Sequence, residues 1–167
     1  TYGRSVAGAA LRFFALGRGR RRLLLTAAHH ANEWITAPLL LRFAGELCEA
    51  AAHGGSVRGI RAEEILSNAR LCLVPAVDPD GMDLVTGALT EGERYAAAKR
   101  VAEAFPDIPF PAGWKANIAG TDLNLQYPAG WERAREIKYA AGFDRPAPRD
   151  YVGSAPLSAP ESAALCA

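Results

Sequence analysis

The chain has 167 residues, a length that fits one domain able to bury a sizeable core. Half of the residues are apolar and 22% are charged, a balance that excludes a disordered or fibrous protein. Nineteen Lys and Arg against eighteen Asp and Glu leave a net charge of +1, so no global field attracts nucleic acid or an anionic membrane.

The first predicted elements in chain order are two strands, Val6 to Leu16 and Leu23 to Ala28, which flank the basic run Arg18 to Arg22. Glycines beside the arginines favour a solvated hairpin turn over a binding patch. The second strand is a nearly continuous apolar run, which is typical of a buried central position in a sheet.

A long helix is predicted next, from Trp34 to about Ala52, because apolar residues recur there at helical spacing. Arg61 to Asn68 predicts a short helix, and Leu71 to Pro75 predicts a compact strand. This order of strand, helix and strand predicts a parallel crossover.

The remainder is predicted to alternate helix and loop. Asp78 to Gly81 supplies turn chemistry, and Glu91 to Phe105 predicts a surface helix or a mobile segment. Pro106 to Gly120 is a loop of a length that tends to be functional. Ser158, with Glu161 three residues on, predicts the cap of a last helix.

Three cysteines at wide spacing, Cys48, Cys72 and Cys166, form no disulfide pattern and are predicted to be buried free thiols. No apolar run is long enough to cross a bilayer, and the first residues form no export signal. We therefore expect a soluble protein without a membrane or nucleic-acid partner, with a cytoplasmic location favoured. Because the chain opens at Thr1 without Met, we expect upstream sequence to be missing.

The sharpest chemical feature lies where the second strand gives way to the long helix. Open parallel sheets bind ligands at that edge. An imidazole and a carboxylate three residues apart, here His30 and Glu33, can converge on one zinc ion at about 2.0 to 2.2 Å. The same pair also arises by chance on many helices, and a lone His is more often structural than a metal ligand.

Three blocks stand in the order and spacing of the M14-type zinc metallocarboxypeptidases. His30 to Ile35 resembles the family's H-x-x-E-W-I motif, Val74 to Gly81 resembles its P-x-x-N-P-D-G block, and Gly120 to Asn124 resembles its G-V-D-x-N block. The resemblance covers nearly the whole chain. It implies an α/β fold with a mixed, mainly parallel central sheet flanked by helices, of which residues 1–167 form the N-terminal part of one catalytic domain.

The resemblance also implies roles for individual residues. His30 and Glu33 would be two ligands of Zn²⁺, and Asp122 would hydrogen-bond the far nitrogen of His30, which fixes the tautomer of a ligating imidazole. Lys115, after Trp114, stands where the family has an Arg that stabilises the oxyanion. An exposed loop Lys is the alternative for that position.

Two departures from the family pattern concern the substrate. Asn124 is followed by Leu125 instead of the Arg that helps the family's carboxypeptidases hold a terminal carboxylate, so removal of an ordinary C-terminal residue is disfavoured. The stretch from Asp122 to Ala129 is similar to the bacterial γ-D-glutamyl-meso-diaminopimelate peptidase branch. The resemblance implies a cell-wall peptide as substrate, with Asn124 and Gln126 as contacts. A Gln that satisfies loop backbone is the alternative for Gln126.

The chain does not hold every part of a hydrolytic zinc site, which needs three protein ligands and a general base. The family supplies a second His and a catalytic Glu beyond Ala167, so the general base is absent from the chain, and neither His29 nor His53 matches the missing ligand. A partial sequence, a naturally shortened paralogue and a chain that takes ligands from a partner all fit, with the first favoured. We expect such a fragment to expose core surface and to self-associate through its truncated face.

Two functions are weighed on this basis. The first is a zinc-dependent metallopeptidase that hydrolyses a peptide bond by metal-activated water. The second is a catalytically inactive module that binds peptidoglycan peptides. A calcium loop at Asp78 to Asp83 is disfavoured because the EF-hand pattern needs Gly where Asp83 stands. Serine or cysteine hydrolysis is also disfavoured, since there is no G-x-S-x-G motif and no His near a cysteine.

Overall fold

The computed structural model describes all 167 residues. The strands are Gly3–Arg4 (β1), Ala10–Leu11 (β2), Phe14–Leu16 (β3), Arg21–Thr26 (β4), Ser56–Val57 (β5), Ile60–Arg61 (β6) and Ala69–Val74 (β7). The helices are Thr36–Ala52 (α1), Ala62–Asn68 (α2), Pro79–Thr86 (α3), Gly92–Glu103 (α4), Trp131–Ala140 (α5) and Pro160–Cys166 (α6). Short 3₁₀ helices cover Ala31–Glu33 and Leu123–Leu125.

The central sheet has three strands in the order β3-β7-β4. β7 pairs with β4 in parallel over six residue pairs and with β3 in antiparallel over three. The chain runs from β4 through α1 and α2 to β7, which confirms the predicted parallel crossover. The α/β class with a mixed, mainly parallel sheet is likewise confirmed. Two small antiparallel pairs, β1 with β2 and β5 with β6, lie outside this sheet.

The predicted hairpin at the arginine-rich run is wrong. β7 lies between β3 and β4, so the two strands do not pair with each other. The connection instead rests on the end of α2, where the Arg18 N–H donates to the Leu66 carbonyl at 2.8 Å and the Gly19 N–H donates to the Ala69 carbonyl at 3.3 Å. A Cβ on Gly19 would lie 2.0 Å from the Asn68 carbonyl carbon, so this close approach requires glycine.

The predicted buried central position of the second strand is also wrong. β7 is the central strand and its inward residues are buried, whereas β4 forms one edge of the sheet. Leu23 and Leu24 of β4 are 50% and 58% exposed. A run of apolar residues is buried only where another element covers it, and no element of these 167 residues covers this edge.

Three apolar clusters form the core. One packs α1 and α2 against β7 around Leu47, Leu71 and Leu73. The largest brings α3, α4 and the loop after α4 against the first 3₁₀ helix, with Trp114 fully buried at its centre. The third joins the end of β7 to the second 3₁₀ helix and α6. The largest and the third cluster lie at the carboxyl end of the central sheet, where they hold the segments that carry the site.

The helices predicted from Trp34 to about Ala52 and from Arg61 to Asn68 are present as α1 and α2, and the segment from Glu91 to Phe105, predicted as a surface helix or a mobile segment, forms α4; α5 was not predicted. The predicted turn at Asp78 begins α3: the Asp78 carboxylate accepts the Gly81 N–H at 3.0 Å, and Pro79 occupies the first turn. The predicted cap at Ser158 is wrong, because α6 begins without a side-chain cap and the Ser158 hydroxyl donates to Gln126. Glu161 is instead buried in the protein interior.

The three cysteines are free, as predicted, but Cys48 and Cys166 are exposed and not buried. Each lies on a helix surface that the rest of the chain leaves uncovered. None of the six helices combines the length and the apolarity that crossing a membrane would require.

Candidate functional site

The site begins in the turn between β4 and the first 3₁₀ helix. Ala28 has φ of +48°, a left-handed conformation that costs free energy in a residue other than glycine. Two bonds hold it: the Ala28 N–H donates to the Thr36 hydroxyl at 2.9 Å, and its carbonyl accepts the Asp78 N–H at 2.9 Å. The Thr36 hydroxyl in turn donates to the Glu33 carbonyl at 2.7 Å. Thr36 therefore shapes the turn that presents His30, a role that sequence reasoning missed.

The turn places His30 between two carboxylates. Its Nδ1 lies 3.1 Å from Glu33 Oε1, and its Nε2 lies 3.1 Å from Asp122 Oδ1, although Asp122 is 92 residues away in sequence. The imidazole is 15% exposed, the Asp122 side chain 5% and the Glu33 side chain 51%. One nitrogen therefore faces the protein interior and the other faces the solvent beside Glu33.

The Asp122 carboxylate is held by main-chain donors. Its Oδ2 accepts the Asp150 N–H at 3.1 Å, and its Oδ1 accepts the Asn124 N–H at 3.3 Å. The Asp122 N–H also donates to the Tyr151 carbonyl at 2.9 Å. These bonds fix the carboxylate before it meets the imidazole, so the orientation of His30 is set by the loop that follows α5 as well as by its own turn.

Lys115 lies on the open side of the same group. Its Nζ is 3.6 Å from Glu33 Oε1, and its side chain is 22% exposed. The Lys115 carbonyl accepts the Ala31 N–H at 3.1 Å, and its own N–H donates to the Pro148 carbonyl at 2.7 Å. The main chain of this loop is therefore joined directly to the 3₁₀ helix that carries Glu33.

The electrostatics of the two adjacent histidines differ. The hydrogen bond between the imidazole and Asp122 raises the pKa of His30, and partial burial opposes the shift. Burial lowers the pKa of His29, whose Nε2 lies 2.8 Å from the Tyr127 hydroxyl. His53 lies past the far end of α1, where its Nδ1 is 2.9 Å from the Glu49 carbonyl oxygen. Neither His29 nor His53 joins the group around His30.

The donors beside His30 fit part of a zinc site. Tetrahedral ligands at about 2.1 Å from zinc lie about 3.4 Å apart, close to the 3.1 Å between His30 Nδ1 and Glu33 Oε1. The Asp122 contact at Nε2 is the outer hydrogen bond that ligating imidazoles usually make. No group of three or more His, Cys, Asp or Glu in the chain is arranged to hold a metal ion. His30 and Glu33 therefore supply two donors that could hold a metal ion, whereas a hydrolytic zinc site needs three protein ligands.

The two predicted substrate contacts differ in accessibility. Asn124 is exposed at the second 3₁₀ helix. Gln126 is fully buried: its amide NH₂ donates to the carbonyls of Val152 and Ala155, and its oxygen accepts the Ala159 N–H and the Ser158 hydroxyl. Every polar atom of Gln126 is used inside the loop framework, so its geometry matches the structural alternative and not the substrate contact.

Comparison with known proteins gives this arrangement a family. A profile of the zinc carboxypeptidase family, peptidase M14, matches residues 1–167. Gamma-D-glutamyl-L-diamino acid endopeptidase 1 of Lysinibacillus sphaericus is 37% identical over 98% of the chain, which spans 40% of that protein. The uncharacterized protein YqgT of Bacillus subtilis is 38% identical over 87% of the chain, which spans 37% of that protein.

Solved structures share the fold. The thrombin activatable fibrinolysis inhibitor superposes with a TM-score of 0.67 at 18% identity, over 99% of this chain and 36% of its own. Carboxypeptidase A of Helicoverpa armigera superposes with a TM-score of 0.62 at 17% identity, over 99% of this chain and 35% of its own. The chain thus spans less than half the length of the proteins that it matches. With the profile matching from first residue to last, the chain belongs to the zinc carboxypeptidase family.

Proposed function

We propose that this chain is the zinc-nucleating part of a peptidase, with His30 and Glu33 as two of the zinc ligands. The observation that carries the proposal is the placement of His30 between Glu33 and Asp122, with both nitrogens 3.1 Å from a carboxylate oxygen. When bound in such a site, zinc polarises a carbonyl and activates water for hydrolysis. Two ligands from this chain would have to be completed by a third from elsewhere in the whole protein.

The residues around the metal position have complementary tasks. Asp122 keeps the proton of His30 on Nε2, so that the Nδ1 lone pair is free to face a cation beside Glu33. Lys115 places a positive charge 3.6 Å from Glu33 Oε1, on the open side where an oxyanion would develop. The general base belongs, in this proposal, to the part of the protein outside these residues.

For the substrate we propose γ-D-glutamyl-diaminopimelate peptides of bacterial cell walls. The proposal is supported by the likeness to the Lysinibacillus enzyme, whose name describes an endopeptidase for γ-D-glutamyl-L-diamino acid bonds. Leu125 supports it further, because a leucine cannot form the paired hydrogen bonds with which an arginine holds a terminal carboxylate. Exposed Asn124 is the polar contact that this chain offers to such a peptide.

A second candidate function is binding of peptidoglycan peptides without hydrolysis. It is favoured by one observation, that the 167 residues bring together no third ligand beside His30 and Glu33. A peptide could still occupy the surface between Lys115 and Asn124, because both side chains are accessible.

Zinc content and turnover, measured together, test the two functions. The whole protein that contains these 167 residues, and with them the remaining ligand and general base of the first proposal, would be analysed for bound metal and assayed on a γ-D-glutamyl-diaminopimelate peptide, with the α-linked isomer as the matched control. Metal binding with cleavage restricted to the γ-linked peptide would establish the peptidase. Metal and peptide binding without cleavage would establish the binding module. A chain that takes up no metal and binds neither peptide would contradict both.

Self-association is the proposed partner interaction of the isolated chain. The free edge of β4 carries Leu23 and Leu24, and beside it lies an apolar groove formed by residues that include Phe13, Val74 and Leu165. If two copies paired their β4 strands in antiparallel with the two leucines at the centre, the arginines at the start of each strand would lie opposite the end of the other strand. Arginine would therefore not face arginine.

Replacing Leu24 with Lys is expected to weaken that association at least about tenfold, because burial of a leucine contributes about 1.5 to 3 kcal/mol. Sedimentation or light scattering over a concentration series would measure the dissociation constant. Ile137→Lys on the surface of α5, where the native side chain is 51% exposed, is the matched control. Equal dissociation constants for the two variants would place the interface away from β4.

A further inference from the structure

The buried carboxyl group of Asp78 is only half satisfied. Asp78 is 0% exposed at the junction of β7 and α3. Its Oδ1 accepts the Gly81 N–H at 3.0 Å. Its Oδ2 is buried as well and has no hydrogen-bond partner. An unpartnered polar atom in the interior destabilises the fold, and more so when it is charged, so this oxygen requires an explanation.

A second oxygen without a partner borders the same space. A Cβ added to Gly81 would lie 2.1 Å from Asp78 Oδ2 and 2.8 Å from the carbonyl oxygen of Ala116. Ala116 is fully buried, and no N–H or O–H of the chain donates to its carbonyl. Two acceptor oxygens without a donor therefore border the same point, where a hydrogen on Asp78 Oδ2 could be shared with the Ala116 carbonyl.

The surroundings favour the neutral acid over the carboxylate. Asp80 on α3, Glu161 on α6 and Asp122 all act on Asp78 as negative charges, and no basic group opposes them. The Asp80 carboxylate already accepts the Ala7 N–H, and Glu161 already accepts the Val6 N–H and the Asn117 amide. These donors are therefore not available to Asp78. Burial, reinforced by the three acidic neighbours, raises the pKa of Asp78 well above its ordinary value.

We propose that Asp78 is held as a neutral carboxylic acid whose Oδ2–H donates a hydrogen bond to the main-chain carbonyl of Ala116. The proton joins the start of α3 to the loop that carries Lys115, whose own carbonyl accepts the Ala31 N–H beside the zinc motif. Asp78 is thus a positioning residue for Lys115 and Glu33. That consequence rests on the proposed function of the site, whereas the protonation of Asp78 does not.

If Asp78 is protonated in the folded protein, the free energy of unfolding must depend on pH. An Asp whose pKa is higher in the folded than in the unfolded state stabilises the fold fully below the unfolded pKa of about 3.9, and the contribution is lost as the pH rises towards the folded value. Within that window the equilibrium constant for unfolding would rise by about tenfold per pH unit from this group. An Asn at position 78 would have the same shape and would donate from its NH₂ group at every pH.

Two measurements on the 167-residue chain test the proposal. The first is the carboxyl ¹³C resonance of Asp78, assigned by its absence in Asp78→Asn. A resonance at the protonated position at pH 7 is expected. A resonance that titrates near the ordinary pKa of aspartate would overturn the proposal in favour of an ionised Asp78, which a buried water would then bridge to Ala116.

The second measurement is urea unfolding between pH 4 and pH 8 for the parent, Asp78→Asn, Asp78→Ala and the matched surface variant Asp107→Asn. Asp78→Asn should be at least as stable as the parent at pH 7 and should lack its decline with pH, while Asp107→Asn should follow the parent. Asp78→Ala should be the least stable, because it loses both hydrogen bonds. A less stable Asp78→Asn would overturn the bond to Ala116. Neither readout involves zinc, so a failure of the proposed metal site leaves this test intact.

Discussion

Replacing His30 with Ala is expected to abolish zinc binding by the chain. The His30 Nδ1 is the imidazole nitrogen beside Glu33, and its loss leaves one half-exposed carboxylate, which cannot hold zinc against competing chelators. Elemental analysis and competitive chelator titration of parent and variant would measure the loss. The turn is held by the bonds of the Thr36 hydroxyl to Ala28 and Glu33, which do not involve the imidazole, so the variant is expected to remain folded, which circular dichroism would verify.

Three further variants make this result specific. Glu33→Ala should lose zinc as His30→Ala does, and Asp122→Asn should weaken binding by about 10 to 100-fold, because it alters the outer hydrogen bond and not a ligand. His53→Ala is the matched control, since this histidine is exposed at the far end of α1 and should leave affinity unchanged. Stoichiometric zinc retained by His30→Ala would refute the assignment of the ligand.

Replacing Trp114 with Ala is expected to destabilise the chain by about 3 to 5 kcal/mol, the usual cost of deleting a fully buried aromatic side chain. The Trp114 ring is 0% exposed at the centre of the largest core cluster. It meets the Phe110 ring edge to face at a centroid distance of 6.0 Å. Its Nε1–H donates to the Asn117 carbonyl at 3.2 Å. Removing it would therefore leave a cavity and take away one of the two hydrogen bonds that the Asn117 carbonyl accepts, the other coming from the Gly120 N–H.

Urea unfolding of Trp114→Ala would measure the effect, with Trp34→Ala as the matched control because that ring is 42% exposed. The control should lose less stability, since 42% of the Trp34 surface is already in water, whereas none of the Trp114 surface is. Equal losses for the two variants would mean that Trp114 does not anchor this cluster. The result bears on the site as well, because Lys115 follows Trp114 directly and depends on the same packing.

Much of the candidate site could be predicted from sequence because it is local or motif-borne. His30 and Glu33 lie on one short turn and approach to 3.1 Å. Predicting that a helix starts there is enough to predict this approach. Asp122 and Lys115 could be predicted only through the resemblance to a family, because no periodicity relates residues so far apart in sequence. Their positions come from loops that the core clusters and main-chain hydrogen bonds hold in place.

Gln126 shows why a motif position does not by itself reveal a role. Its position in the stretch from Asp122 to Ala129 suggested a substrate contact, but the segments around Val152 and Ala159 fold back over it and hydrogen-bond its whole amide. Thr36 shows the converse. Nothing in a sequence distinguishes a threonine that holds a strained turn from an ordinary helix residue, and only the contacts with Ala28 and Glu33 reveal it.

Elements whose cause is local follow from the sequence. Helical spacing of apolar residues predicts α1, the segments before and after β7 indicate α2 and α4, and the apolar run before Pro75 predicts β7. The α/β class follows from their order, because a strand, a crossover helix and a second strand bury their apolar faces most readily in parallel.

Which strand is central, which residues are covered and what each buried polar group contacts depend on the packing of distant segments. β3 and β4 pair with β7 and not with each other, although the turn between them favours a hairpin, because β7 offers both of its edges. Asp78 stands in an ordinary turn sequence, yet its carboxyl is fully buried, and elements up to 83 residues away affect it, since Glu161 of α6 acts on it as a negative charge. Burial and pairing are properties of surfaces brought together from distant parts of the chain, and a local pattern contains no record of its eventual neighbours.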